Sequence, residues 1–247
     1  MSLAAHFRAH DEARLELTMS LLDERSLEAS ETVANAAMNR GRGLSGINSY
    51  DRELGLDLHA WLQARLDEQG SVAWLDVCCG EGRALLEAAD RLRPDRLEAM
   101  RLLGLDLVQP GPRSTPSVEE LRFVEASVHS WEPRQSFDLI TCVHGLHYVG
   151  DKLGLLERVV VWLSEGGLFL GHLDLDDVRD EKGDPLIGFL RDRLRRSGAR
   201  HDRETRVLQL TGGQSLSFGL QFVGADDDVG PNFSGQPSVH SRYGSRG

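Results

Sequence analysis

Two histidines, His144 and His147, close an apolar run at residues 137–143. An imidazole there could take a proton from a hydroxyl or an amine, because it titrates near neutrality. The plainer reading makes each a hydrogen-bonding loop histidine. Two carboxylates hold comparable positions: Asp76 stands just ahead of the small-residue turn Cys78-Cys79-Gly80-Glu81-Gly82, and Asp106 ends the run at 101–107. A carboxylate fixed at a strand end can accept hydrogen bonds from both hydroxyls of a ribose; the alternative is a turn aspartate. Glycines in a turn let backbone approach a ligand, and a helix start behind it favours a negatively charged group. His144, His147, His172, Asp174 and Asp176 could supply mixed nitrogen and oxygen ligands, but their spacing matches no metal motif, and no metal is assigned.

These residues need rigid elements behind them. Residues 72–77 read as a buried strand, and residues 83–92 as a helix with Leu85, Leu86 and Ala89 on one face. Strand, glycine turn and helix open a doubly wound α/β domain. Further strands are predicted at 101–107, 119–126, 136–144 and 168–172, with a helix at 151–163 and a glycine stop at 164–167. A helix at 54–66 precedes the first strand. Residues 1–40 read as helical, and residues 41–50 as a loop that, with Arg40 before it, offers donors from Arg40, Arg42, Asn48, Ser49 and Tyr50 to an anionic or polar ligand. Prolines and glycines crowd 108–117, so the crossover helix there must be short or absent. Residues 186–197 read as a helix with an arginine-rich face, and 206–210 and 215–223 as a pair of strands. The expected organisation is a helical cap or lid at 1–50, an α/β domain at 51–224 and a loop-rich tail at 225–247 with little regular structure.

The turn lacks the third glycine of the dinucleotide fingerprint G-x-G-x-x-G, since Leu85 stands there. The stretch Asp76-Val77-Cys78-Cys79-Gly80-Glu81-Gly82 instead resembles motif I of class I S-adenosylmethionine-dependent methyltransferases, with Cys78 replacing the first glycine. Phe137-Asp138-Leu139-Ile140 resembles the opening of that family's strand 4. Leu163-Ser164-Glu165-Gly166-Gly167 resembles its L-x-P-G-G segment, with Glu165 where proline usually sits. The resemblance runs from about residue 54 to 172. It implies a Rossmann-like, seven-stranded, mostly parallel sheet with an antiparallel C-terminal strand, supplied by the strand pair at 206–223. It implies S-adenosyl-L-methionine as cofactor: its methionyl portion at Asp76, Cys78, Gly80 and Gly82, its ribose at Asp106 beside Leu107, its adenine at Ser127 and Val128, with Val143 and His144 completing the edge. Ser127 replaces the family's usual acid, and Trp131 either stacks on adenine or fills core. The N-terminal helices would roof the acceptor pocket, and His147 or His144 would serve as general base.

Composition narrows the partners. With 28 Lys+Arg against 39 Asp+Glu, the net charge of −11 argues against a large nucleic-acid footprint and favours a small-molecule methyl acceptor. The three cysteines lie in or beside predicted strands, which suggests free thiols in a reducing compartment. The early charges of MSLAAHFRAHDEAR do not suit a signal peptide, and no run approaches a membrane-spanning length, so a cytoplasmic protein is expected. Two alternatives stay open: a nicotinamide-dependent oxidoreductase on the same sheet, and a non-catalytic methyltransferase-like scaffold.

Overall fold

The computed structural model describes residues 21–34, 41–91, 94–108 and 120–245. The helices expected across 1–20 and 35–40, Arg40, and most of the proline-rich stretch lie outside them.

Strand β1 (Val72–Val77) is the middle of the molecule. It pairs in parallel with β2 (Met100–Asp106) on one side and β4 (Phe137–Cys142) on the other. Strand β3 (Leu121–Glu125) adds to β2, and β5 (Leu163–His172) to β4, both parallel. Covered on both faces, β1 needs apolar residues at successive positions rather than an alternation, which is how VAWLDV reads. Leu75 and Val77 face one core with helix Lys152–Trp162, whose Leu156, Val159 and Val160 are buried there. Trp74 faces the other core with Leu58, Leu62 and Leu66 of helix Leu58–Gln69 and Leu85 and Ala88 of helix Arg83–Arg91. The continuous helix expected at 54–66 is two pieces: Tyr50–Leu54 ends at Gly55, left-handed at φ 66°, and Asp57 caps the next by accepting from the Ala60 N–H at 2.9 Å.

The sheet has seven strands in the order β3-β2-β1-β4-β5-β8-β7, with β8 (Val207–Thr211) antiparallel to both neighbours. This is the expected sheet, with one strand supplied differently. The partner of β8 is the short β7 (Arg200–His201), which precedes it; the two are joined by a turn in which Asp202 Oδ1 accepts from the N–H groups of Glu204 and Thr205. The segment predicted as the second strand, 215–223, is mostly extended loop with Phe218 buried, and its end passes into β9 (Leu220–Asp226) of a second sheet. That sheet runs β6-β10-β9, from β6 (Val178–Asp180) to β10 (His240–Ser245).

The tail therefore corrects the expectation of little regular structure. Strand β10 is parallel to β6 and antiparallel to β9, and Val239, Ser241 and Tyr243 are buried on one face. Tyr243 Oη donates to Asp151 at 3.0 Å and accepts from the Leu153 N–H at 2.9 Å. Lys152, fully buried, donates to the carbonyls of Val149 and Val239 and to Ser241 Oγ at 2.6–2.9 Å. Burial holds its ammonium down to a pKa of about 8. Among the described residues no helix is long and apolar enough to cross a membrane.

Candidate functional site

The turn after β1 takes the backbone into the left-handed region at Cys78 (φ 57°), Gly80 (φ 59°) and Gly82 (φ 66°). Cys78 is thus a non-glycine residue in a glycine conformation, where the resembled motif has glycine. Gly145 makes room for it, since a Cβ on Gly145 would overlap Cys78. The turn is tied to the end of β2: Asp106 Oδ2 accepts from the Gly80 N–H at 2.8 Å, and its Oδ1 from the Val108 N–H at 3.1 Å. Gly82 serves packing, because a Cβ there would overlap the ring of Phe123 on β3. Asp76 is fully buried and accepts from Tyr50 Oη at 2.8 Å and Thr141 Oγ1 at 2.6 Å. Burial lifts its pKa to about 7 against the pull of those two donors.

A cavity of about 380 Å³ opens at the carboxyl ends of β1, β2 and β4. In an open α/β sheet this edge, where strand order reverses between β1 and β4, is where ligands bind, and the volume is that of a small-molecule site. Of the residues singled out from sequence, Cys78, Gly80, Asp106, Leu107, Val128, Val143 and His144 line it. Asp76, Gly82, Ser127 and His147 do not line it. Ser127 Oγ instead donates to Glu28 at 2.5 Å and accepts from the His129 N–H at 3.2 Å. Trp131 packs edge-on against Trp162, with ring centroids 5.7 Å apart, and so takes the core alternative.

The opposite wall comes from the N-terminal segment, with Leu27 and Val33 facing the strand ends. Its helix Glu24–Glu28 is fastened by acids one turn apart. Glu24 pairs with His129 Nε2 at 2.6 Å and accepts from the Asp151 N–H, while Glu28 holds Ser127.

The histidines separate into two groups. His147 lies in the 3-10 turn Gly145–Tyr148, buried, with Nδ1 3.2 Å from Asp177 Oδ2. Its Nε2 has no hydrogen-bond partner among the described residues. Asp177 is itself buried and accepts from Ser238 Oγ at 3.4 Å. His144 is left-handed at φ 60° and stacks on His172, with centroids 4.1 Å apart and planes 10° apart. The Nε2 atoms of both face Glu53 Oε2, at 3.0 Å from His144 and 3.7 Å from His172. Asp174 caps the turn Leu175–Asp177 instead, accepting from the Asp176 N–H at 3.1 Å. Glu53 and Asp177 were missed from sequence. Each is one acid among 39 and carries no motif.

Strand order, switch point and glycine turn define a Rossmann-like class I methyltransferase fold. A family model described as a methyltransferase domain matches residues 48–217, more than half of the chain, and the chain belongs to that family. Comparison with curated proteins gives no match. Among solved structures, the chain is similar to a SAM-bound amino pentose methyltransferase from Micromonospora echinaspora (19% identity, 58% of this chain and 56% of that chain covered, TM-score 0.37). It is similar to the plantazolicin methyltransferase BpumL with SAH and a monoazolic analog (16%, 65% and 60%, TM-score 0.39) and to the [4+2]-cyclase SpnF (15%, 61% and 60%, TM-score 0.41). The match thus spans 56–60% of the length of each of these chains.

Proposed function

We propose that this protein binds S-adenosyl-L-methionine in the cavity beside Asp106 and transfers its methyl group to a small-molecule acceptor. The observation that carries the reading is Asp106 itself: a carboxylate on the cavity wall at the end of β2, holding the β1 turn in register. The cavity fits the group, because a carboxylate suits ribose hydroxyls while Leu107 and Val128 suit an adenine face. When bound, the cofactor supplies a sulfonium that already activates the methyl group. The chain has then to align the acceptor and exclude water, and the wall formed by Leu27 and Val33 suits that task.

His147 is the general base in this reading, and because it does not line the cavity it would act through one intervening water. Asp177 fixes Nδ1 as the donor nitrogen and leaves Nε2 to accept a proton, the arrangement in which a carboxylate orients a catalytic imidazole. His144, one ring away at 5.7 Å, faces the cavity. The acidic chain favours a small acceptor over a nucleic acid.

Thermal denaturation of the purified chain with S-adenosylmethionine, S-adenosylhomocysteine, NAD and NADP tests the cofactor class, since a ligand of the folded state raises the melting temperature. Shifts with the two sulfur compounds alone are expected. A shift with a nicotinamide nucleotide instead would replace this reading with the oxidoreductase, and no shift with any would favour the scaffold.

A further inference from the structure

Beside the cavity, helix Tyr50–Leu54, the end of β4 and the end of β5 deliver Glu53, His144 and His172 to one point. One donor atom of each lies within 4.8 Å of the others. We infer that these three side chains form a binding site for a divalent first-row transition-metal ion, through the two Nε2 atoms and the Glu53 carboxylate.

The distances suit such an ion. Donors about 2.0–2.2 Å from a zinc-like ion sit roughly 3–3.5 Å from one another. Glu53 Oε2 is 3.0 and 3.7 Å from the two Nε2 atoms, close to that spacing, and the stacked rings would have to splay for both lone pairs to meet one ion.

Hydrogen bonding alone accounts poorly for the pair. The two Nε2 atoms converge on a single carboxylate oxygen, which cannot serve both rings with good geometry. His144 also holds a left-handed backbone that non-glycine residues adopt at a cost, and such strain gathers at functional sites. Two imidazoles and one carboxylate are the donor set of sites that keep open coordination positions, and nitrogen donors favour zinc, cobalt(II) or iron(II) over magnesium. Arg42 Nε lies 3.5 Å from Glu53 Oε1 and competes for that carboxylate, so it must turn aside or share it. Because His144 also lines the cavity, the ion would sit one side chain from it.

The test is direct metal binding to the full chain after chelator treatment, with Zn²⁺ followed by calorimetry and Co²⁺ by absorption. One equivalent of each is expected, with a Co²⁺ spectrum of nitrogen and oxygen ligation. Glu53→Gln and His172→Gln should each weaken binding at least tenfold, with the fold checked by circular dichroism. Three outcomes would overturn the site: no binding below millimolar Zn²⁺, binding unchanged in both folded variants, or thiolate charge-transfer bands that assign the ion to the cysteines. If both variants fail to fold, the Co²⁺ spectrum of the unaltered chain decides alone. The readout uses neither cofactor nor acceptor, so its failure would leave the methyl-transfer reading standing.

Discussion

Asp106 holds two backbone N–H groups, from Gly80 and Val108, and so shapes the cavity edge before any ligand arrives. Asp106→Ala also removes the carboxylate proposed to hold the ribose. We expect S-adenosylhomocysteine binding to weaken by about 1.5–3 kcal/mol, read as a dissociation constant by calorimetry. An unchanged constant would remove Asp106 from the cofactor site. His147→Ala should lower turnover about 10²–10⁴-fold at unchanged cofactor affinity, and Asp177→Asn should lower it less, because the imidazole stays while its orientation is lost. Equal effects on turnover and on cofactor binding would mark both residues as structural. Asp106 was legible because strand ends announce themselves through an apolar run followed by an acid. The partners of the histidines were not. Glu53 sits in the charged stretch Tyr50-Asp51-Arg52-Glu53, and Asp177 among several neighbouring acids, so only the three-dimensional path of the chain singles them out.

Gly82 shows how elements constrain the turn between them. The ring of Phe123 on β3 fills the space that a side chain at Gly82 would need, and it also closes over Gly104 on β2. Gly82→Ala adds a left-handed alanine to that overlap, and we expect a loss of about 2–3 kcal/mol in stability by denaturant unfolding. A parallel Phe123→Leu change should recover part of it. Strands β1 and β4 were readable because burial on both faces writes them as apolar runs between turn residues. The later strands were not, for a physical reason. Phe218 is buried in an extended loop and mimics a strand residue, whereas β7 is too short to write any pattern. The alternation Val239, Ser241, Tyr243 did carry a strand signal, masked by the glycines and prolines before it.

Across the whole molecule, Lys152 ties the α/β domain to the segment of the second sheet through two hydrogen bonds, to the Val239 carbonyl and Ser241 Oγ. Its folded-state pKa of about 8 lies below the ordinary lysine value of 10.5, so between those values the unfolded chain binds more protons than the folded one. This contribution is fully present above about 10.5 and is lost as pH falls through about 8. Lys152→Met should abolish that slope, and the difference between the two chains' unfolding free energies from pH 7 to 11 measures it. Below the window the variant should be less stable by about 3 kcal/mol, because two buried carbonyls lose their donor.

Those same bonds set an order in time. They join residues 87 and 89 positions apart, and Val239 also donates its N–H to the carbonyl of His147. Loops this long close late, after the more local strand pairs have formed. The sheet edge beside Asp106 is assembled from neighbouring strands, whereas the turn carrying His147 and the N-terminal wall of the cavity, tied to Ser127 and Asp151 across 99 and 127 positions, are finished late. A refolding chain should therefore regain its sheet edge before it regains a closed site.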